Sequence, residues 1–350
     1  MPVQSYKIPR IFQASSLDLK NKNLNIAQTI AQRGKYTLRH NHMDKHGILV
    51  IGSSNTDMTV RTERLPLPGE TVLGGEFTMG AGGKGANQAV AAKRLGGDVT
   101  FVCKVGRDLF GENSVKTYSR EGIDTSHIMY SEKPSGIALI NVDANAENSI
   151  SVASGANIDF TPEDIRGLED IIRKASILLL QLEIPAAAVS EAARIASESG
   201  TYVVLNPAPA CSLPEETYRH VSLLIPNETE MSQISGIDVH DCKSAEEAAK
   251  EMLRRGTGSV IVTLGAKGSL LCRDGKTDFI PSRKVQATDT TAAGDTYCGA
   301  LCVALSEGKS LEDAARFATA ASSIAVTRHG AQESIPAREE VEHVMSGTEQ

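Results

Sequence analysis

Residues 289–295, Asp289-Thr290-Thr291-Ala292-Ala293-Gly294-Asp295, set small side chains between two acids, directly ahead of an apolar helix expected at 294–306. Small residues let a ligand approach the backbone, and a helix start offers N–H groups that have no partner within the helix. The combination predicts an anion hole. Asp295 stands at the same helix start. Its carboxylate is placed either to take a proton from a ligand hydroxyl or to cap the helix.

Gly80, Gly82 and Gly85 fit G-x-G-x-x-G, the spacing of dinucleotide-binding loops. That reading needs a core strand just before the first glycine and an acid at the end of the next strand. Residues 74–79, GGEFTM, make a poor core strand, and the next strand ends Val102-Cys103-Lys104, with lysine where the acid belongs. A P-loop fails as well, because Lys84 lacks the four-residue gap before it and the Ser/Thr after it. What remains is a helix start, Gly82 to Gln88, carrying several backbone N–H groups, an ammonium and an amide. Such a place binds oxygen-rich ligands, and a polyhydroxylated sugar suits it. The plain alternative is a tight turn with a surface lysine. Asn55 and Asp57 follow the first strand at its C-terminal end, where open α/β sheets bind ligands. A carboxylate there accepts two sugar hydroxyls, or it serves as a turn residue. Residues 263–268, Thr263 to Gly268, end a strand in a glycine-rich turn that permits close backbone approach.

These residues need a frame. GILVIG (47–52), VTFVC (99–103), SILLLQ (176–181), TYVVLN (201–206), SLLIP (222–226) and SVIVTLG (259–265) are apolar throughout. They alternate with helices at 84–95, 185–199 and 244–255, and another opens at Thr161 with Pro162 in its first turn. Buried strands alternating with helices indicate a parallel sheet covered on both faces. Two segments, 57–79 and 134–154, break the rhythm with extended alternation and no helix, and predict a small separate β-sheet, a lid.

The 350 residues carry a net charge of −7, which disfavours wholesale nucleic-acid binding. No apolar run approaches the ~18 residues of a membrane span. Residues 1–46 hold five Lys and three Arg against two Asp, a net of +6, so the remainder carries −13. This basic extension has weak apolar periodicity and no secretory core, and predicts a loose segment without chemistry, compatible with a transit peptide or with a start at Met43. The six cysteines (103, 211, 242, 272, 298 and 302) form no C-x-x-C pair and read as buried reduced thiols of a cytoplasmic protein.

Six stretches carry a resemblance: GSSNTD (52–57), GAGGKGANQAVAAKRLG (80–96), QLEIP (181–185), PNETE (226–230), DTTAAGDTYCGAL (289–301) and IAVTRHGAQESIP (324–336). In this order they resemble the ribokinase-like, phosphofructokinase-B type carbohydrate kinases, from about residue 47 to 345, with 1–46 outside. The resemblance implies a three-layer α/β/α sandwich with a mostly parallel, nine-stranded central sheet and a β-sheet lid that also dimerises. It implies ATP-dependent phosphorylation of a sugar, D-ribose at O5, with another pentose, ketose or nucleoside as the rival acceptor. Asp295 is then the general base. Asn55, Asp57, Gly83, Lys84, Asn87 and Glu183 hold the sugar. Asn227, Thr263, Gly265, Gly268, Gly294 and Thr319 hold ATP, Thr319 near adenine. Glu230, from the motif Asn227-x-x-Glu230, holds Mg²⁺ through water, unless the pair only caps a helix. Asp289, Thr291, Ala325, Arg328, Gly330 and Ser334 offer oxygens to K⁺, mostly backbone carbonyls. Many members read Gly-Ala-Gly-Asp where this chain has Ala292-Ala293-Gly294-Asp295, a change that keeps the hole small-walled. A sugar-binding regulator without catalysis would not need the acid beside the hole.

Overall fold

The computed structural model describes residues 45–145 and 147–347. The basic extension therefore lies almost wholly outside the described residues. Its last two residues do not: Lys45 donates to the Arg173 carbonyl and to Thr201 Oγ1, and the first strand starts at His46.

Among the described residues fourteen strands follow one another: β1 (His46–Ile51), β2 (Asn55–Arg61), β3 (Glu76–Gly82), β4 (Val99–Val102), β5 (Lys104–Gly106), β6 (Met129–Ser131) and β7 (Gly136–Val142). The rest are β8 (Asn148–Ala153), β9 (Ala175–Leu180), β10 (Tyr202–Leu205), β11 (Leu223–Leu224), β12 (Ser259–Thr263), β13 (Gly268–Arg273) and β14 (Lys276–Pro281). The main sheet has the order β14-β13-β12-β11-β10-β9-β1-β4. Its six strands from β12 to β4 are parallel, and β13 and β14 add antiparallel at one edge. The sheet thus has eight strands, where nine were expected. Beyond Cys103 the chain leaves β4, and β5 pairs with β6 in a separate two-stranded sheet.

The strands are apolar on both faces because helices cover both. Leu49, Ile51, Leu178, Leu180, Val203 and Leu205 share one core with Ala188, Ala192, Ala245, Ala249 and Met252 of the helices Ala186–Glu198 and Cys242–Arg254. On the other face, helices Lys84–Arg94 and Ala293–Ser306 pack on β1 and on each other. In Cys242–Arg254 the buried positions Ala245, Ala248, Ala249 and Met252 follow the helical period, and Asp241 caps its start with Ser244. Thr161 and Asp164 form the capping box expected around Pro162.

The alternating segments build a four-stranded sheet of order β3-β2-β7-β8. The stretch GGEFTM, unsuited to the main sheet, supplies β3 here. The expectation of buried thiols fails at two positions: all six cysteines are free thiols, but Cys211 and Cys242 are exposed. Among the described residues no helix is long and apolar enough to cross a membrane.

Candidate active site

The C-terminal ends of the parallel strands gather the expected residues. β1 runs out through Gly52-Ser53-Ser54 into β2, which begins at Asn55. Helix Lys84–Arg94 starts against this corner, and Gly83 at its N-cap takes φ 89°, a left-handed conformation that favours glycine. A Cβ on Gly85 would lie 2.6 Å from the Ser53 nitrogen, so only glycine lets the helix start touch the end of β1. A Cβ on Gly82 would sit 2.1 Å from Asp57 Oδ2. The glycines of G-x-G-x-x-G therefore bring the backbone close to a strand end and a carboxylate, not to a pyrophosphate.

Asp295 lies in the first turn of helix Ala293–Ser306 and is buried. The N-cap is Ala292, at φ 57° and with no side-chain cap, so Asp295 is not the cap. A left-handed alanine costs about 1–2 kcal/mol. Its carboxylate instead accepts from Asn87 Nδ2 at Oδ2, 3.0 Å, and from Gln88 Nε2 at Oδ1, 2.9 Å. Glu183 Oε2 accepts from Ser53 Oγ at 2.5 Å and from the Lys84 backbone N–H at 2.9 Å. Burial works against the Lys84 ammonium, but Asp295, Glu183 and Glu230 around it hold its pKa above the ordinary lysine value. Asp57 feels the reverse. Burial, then Glu183, Glu333 and Asp295, push its pKa up to about 6. Asn55 is buried at the joint of the two sheets, where its Oδ1 accepts from Asn157 Nδ2 at 2.7 Å.

Asn227 and Glu230 form a reciprocal capping box at the start of helix Glu228–Ser235, with Glu230 Oε2 accepting from the Asn227 backbone N–H at 2.9 Å. The plain capping reading of this pair is thus realised. Burial raises the Glu230 pKa; Lys84, which lowers it, and Asp295, which raises it, lie close enough to act on it. Asn227 bridges to Thr263 across the ends of β11 and β12. Gly265 and Gly268 turn the next loop with φ 55° and 122°. Thr319 belongs to helix Leu311–Ala325, where Ser322, one turn on, donates to the Ala293 carbonyl at the start of helix Ala293–Ser306. Thr319 lines a recess of about 200 Å³ with Ile280, Pro281, Arg283, Arg316, Ala320 and Met345.

Asp289 joins two segments: Oδ1 accepts from the Thr291 N–H at 2.9 Å and Oδ2 from the Gly330 N–H at 3.1 Å. Burial opposes its charge, yet these bonds and nearby His329 keep its pKa below the usual value. An ionised carboxylate beside a loop of backbone carbonyls fits a hard monovalent cation. Arg328 turns its side chain outward to Glu340, which leaves its carbonyl as the oxygen on offer. Among the described residues no group of three His, Cys, Asp or Glu is placed to hold a metal ion.

Four polar residues escaped the reading of the sequence. Gln88 was read only as part of the helix start, and Asn206, Gln181 and Gln332 lie far away in the chain. Gln88 and Asn206 reach toward Asp295 through buried amides, and Gln332 donates to Asn87 Oδ1 at 3.3 Å. Only Gln88 had a signal, its place next to Asn87.

Residues 45–338 match the pfkB family of carbohydrate kinases. The chain belongs to this family. It is therefore a sugar kinase, and the family's members supply close relatives. The ribokinase of Haemophilus influenzae is 45% identical over 294 residues, covering 84% of this chain and 96% of that protein. The deoxyribokinase of Salmonella typhi is 35% identical over 304 residues, covering 85% and 98%. Among solved structures, the ribokinase of Arabidopsis thaliana complexed with ribose and ATP superposes with a TM-score of 0.80 at 33% identity, covering 87% of this chain and 100% of that one.

Proposed function

We propose that this chain transfers the γ-phosphoryl group of ATP to O5 of D-ribose, giving D-ribose 5-phosphate. One observation carries the reading. A buried carboxylate, Asp295, stands at the uncapped start of a helix, within reach of the sugar-type residues Asn87 and Lys84. The mechanism follows from that geometry. Asp57 and Glu183 accept sugar hydroxyls, helped by Asn55, Gly83, Lys84 and Asn87, and orient the acceptor hydroxyl toward Asp295. Asp295 takes the proton as the hydroxyl oxygen attacks phosphorus in line with the departing ADP. The Ala293 N–H is engaged by the Thr290 carbonyl, so the N–H groups from Gly294 onward in the first turn meet the charge on the transferring group. Asn227, Thr263, Gly265 and Gly268 line the nucleotide's path, and the recess at Thr319 receives adenine.

Glu230 would hold hydrated Mg²⁺ through the oxygen its cap does not use, and the ion would neutralise phosphate charge. Asp289, Thr291 and the carbonyls of Ala325, Arg328, Gly330 and Ser334 would hold K⁺, which would firm the anion hole from behind. We place the protein in the cytoplasm, where six free thiols stay reduced, and as a homodimer formed through the lid.

The first test couples ADP release to a sugar panel: D-ribose, 2-deoxyribose, fructose and adenosine. Ribose is expected to give the highest kcat/KM. The panel includes deoxyribose because the Salmonella relative separates from this chain by only ten points more of identity than the Haemophilus one. ADP release with ribose no faster than without sugar overturns the proposal.

A further inference from the structure

An ionised Asp295 only accepts, so any amide beside it must present its NH2 group. Gln88 does so with Nε2, 2.9 Å from Oδ1. The second hydrogen of that NH2 group goes to Asn206 Oδ1 at 3.1 Å. Asn206 is held in turn, because its Nδ2 donates at 2.8 Å to the Ile225 carbonyl, a backbone group that cannot turn over. On its other side Gln88 Oε1 accepts from Gln181 Nε2 at 2.6 Å. Gln88 is fully buried, and every hydrogen-bonding group of its amide is engaged. Gln181 Oε1 has no partner in its buried position. An unpaired buried oxygen is unfavourable. Reversing the Gln181 amide would instead set two carbonyl oxygens face to face. The orphan is therefore consistent with a direction imposed on the chain of amides from its two fixed acceptors, the Asp295 carboxylate and the Ile225 carbonyl.

We propose that Gln88 is a positioning residue for phosphoryl transfer. It holds Asp295 Oδ1 on a buried, one-way chain of amides and leaves Oδ2, shared with the sugar-facing Asn87, as the oxygen that meets the acceptor hydroxyl. This rests on the reading of Asp295 as the base. Gln88 acts through Asp295 and makes no contact with the sugar.

A four-member cycle tests it: the native chain, Gln88→Met, Asp295→Asn and the double variant, each with kcat, ribose KM and melting temperature. Gln88→Met keeps the length of the side chain and removes the donor. A misplaced catalytic group can cost about 100-fold, so kcat is expected to fall about 10- to 100-fold. Ribose KM should move less than about threefold, the signature of an interaction that serves only the transition state. In the Asp295→Asn background the same change should alter the residual rate less than about twofold, because nothing remains to be positioned. An equal loss in both backgrounds, or a raised KM with kcat kept, overturns the proposal. Asp295→Asn alone reports on the underlying reading: if it keeps kcat, the base lies elsewhere. Should Gln88→Met fail to fold, Asn206→Leu enters the same cycle. It should give a smaller loss of kcat that again vanishes beside Asp295→Asn, and an unchanged kcat there overturns the proposal.

Discussion

Asp57 shows what a cluster of carboxylates costs the folded protein. Three carboxylates, Glu183, Glu333 and Asp295, act on a buried fourth, whose pKa moves from 3.8 to about 6. An acid raised on folding destabilises the folded state wherever it must ionise. The cost is absent below about 3.8, grows between 3.8 and about 6, and is complete above that. The shift corresponds to at most about 3 kcal/mol. Asp57→Asn is therefore expected to raise the melting temperature by a few degrees at pH 8, with a smaller gain at pH 5. The same change removes a charged acceptor from the sugar hydroxyls, so ribose KM should rise about tenfold or more. Thermal melts at the two pH values, with ribose kinetics, check both halves. An equal gain at both pH values means that the carboxylate cluster is not the source of the strain.

At the scale of elements, two helices carry the residues of the proposed chemistry, and their contact would decide its accuracy. Lys84–Arg94 brings Asn87 and Gln88, and Ala293–Ser306 brings Asp295. A Cβ on Gly299 would lie 2.7 Å from Ala91 Cβ and 2.8 Å from the Gln88 carbonyl. Gly299→Ala must push the helices apart. Overpacking of this kind costs about 1–3 kcal/mol. The melting temperature should fall, and kcat with it, because the widened seam draws the amides off Asp295. A variant with native kcat would show that the seam tolerates the methyl group. The proposed cation loop offers a second check at this scale. Asp289 ties Thr291, beside the anion hole, to Gly330, and Gln332 in the same loop donates to Asn87. Turnover in K⁺ should exceed turnover in tetramethylammonium severalfold, and equal rates would remove the cation from the mechanism.

These elements also show what could be read beforehand. β1, β9, β10 and β12 were plain because strands buried on both faces are apolar throughout, and capping residues such as Thr161 announced their helices. β11 (Leu223–Leu224) fell inside the expected strand 222–226, though much shorter, and the change from nine strands to eight was not legible, since pairing is decided between strands, not within one. In the candidate site, Asp295 and Lys84 stood out as charged groups among small residues at helix starts, and Asp57 as a carboxylate just past the C-terminal end of the first strand. Gln181, Asn206 and Gln332 did not, because a buried amide takes its meaning from a partner far along the chain: Gln181 and Asn206 are 93 and 118 residues from Gln88, and Gln332 is 245 from Asn87.

At the scale of the molecule, the four-stranded sheet is incomplete as it stands. The register places Met79 and Leu139 on either side of Met58, and Phe77 beside Val60, on one face. Ile150 lies beside Ile140, and Val152 beside Ala138, on the face that also carries Asp57. Phe77, Met79 and Leu139 are 61%, 52% and 46% exposed, and Ile150 and Val152 are 53% and 55% exposed. A sheet of so few strands with bare apolar surface calls for a cover. A second copy of the same sheet is the cover the homodimer proposal supplies, and a stable pair needs about 800 Å² from each partner. Light scattering at micromolar concentration should give twice the chain mass. Phe77→Glu tests one face and Ile150→Glu the other, and one of the two should return a monomer. If the monomer is Ile150→Glu, ribose KM should also rise, because that face is shared with Asp57. If both variants remain dimeric, the lid is not the interface, and the apolar faces must be covered in some other way.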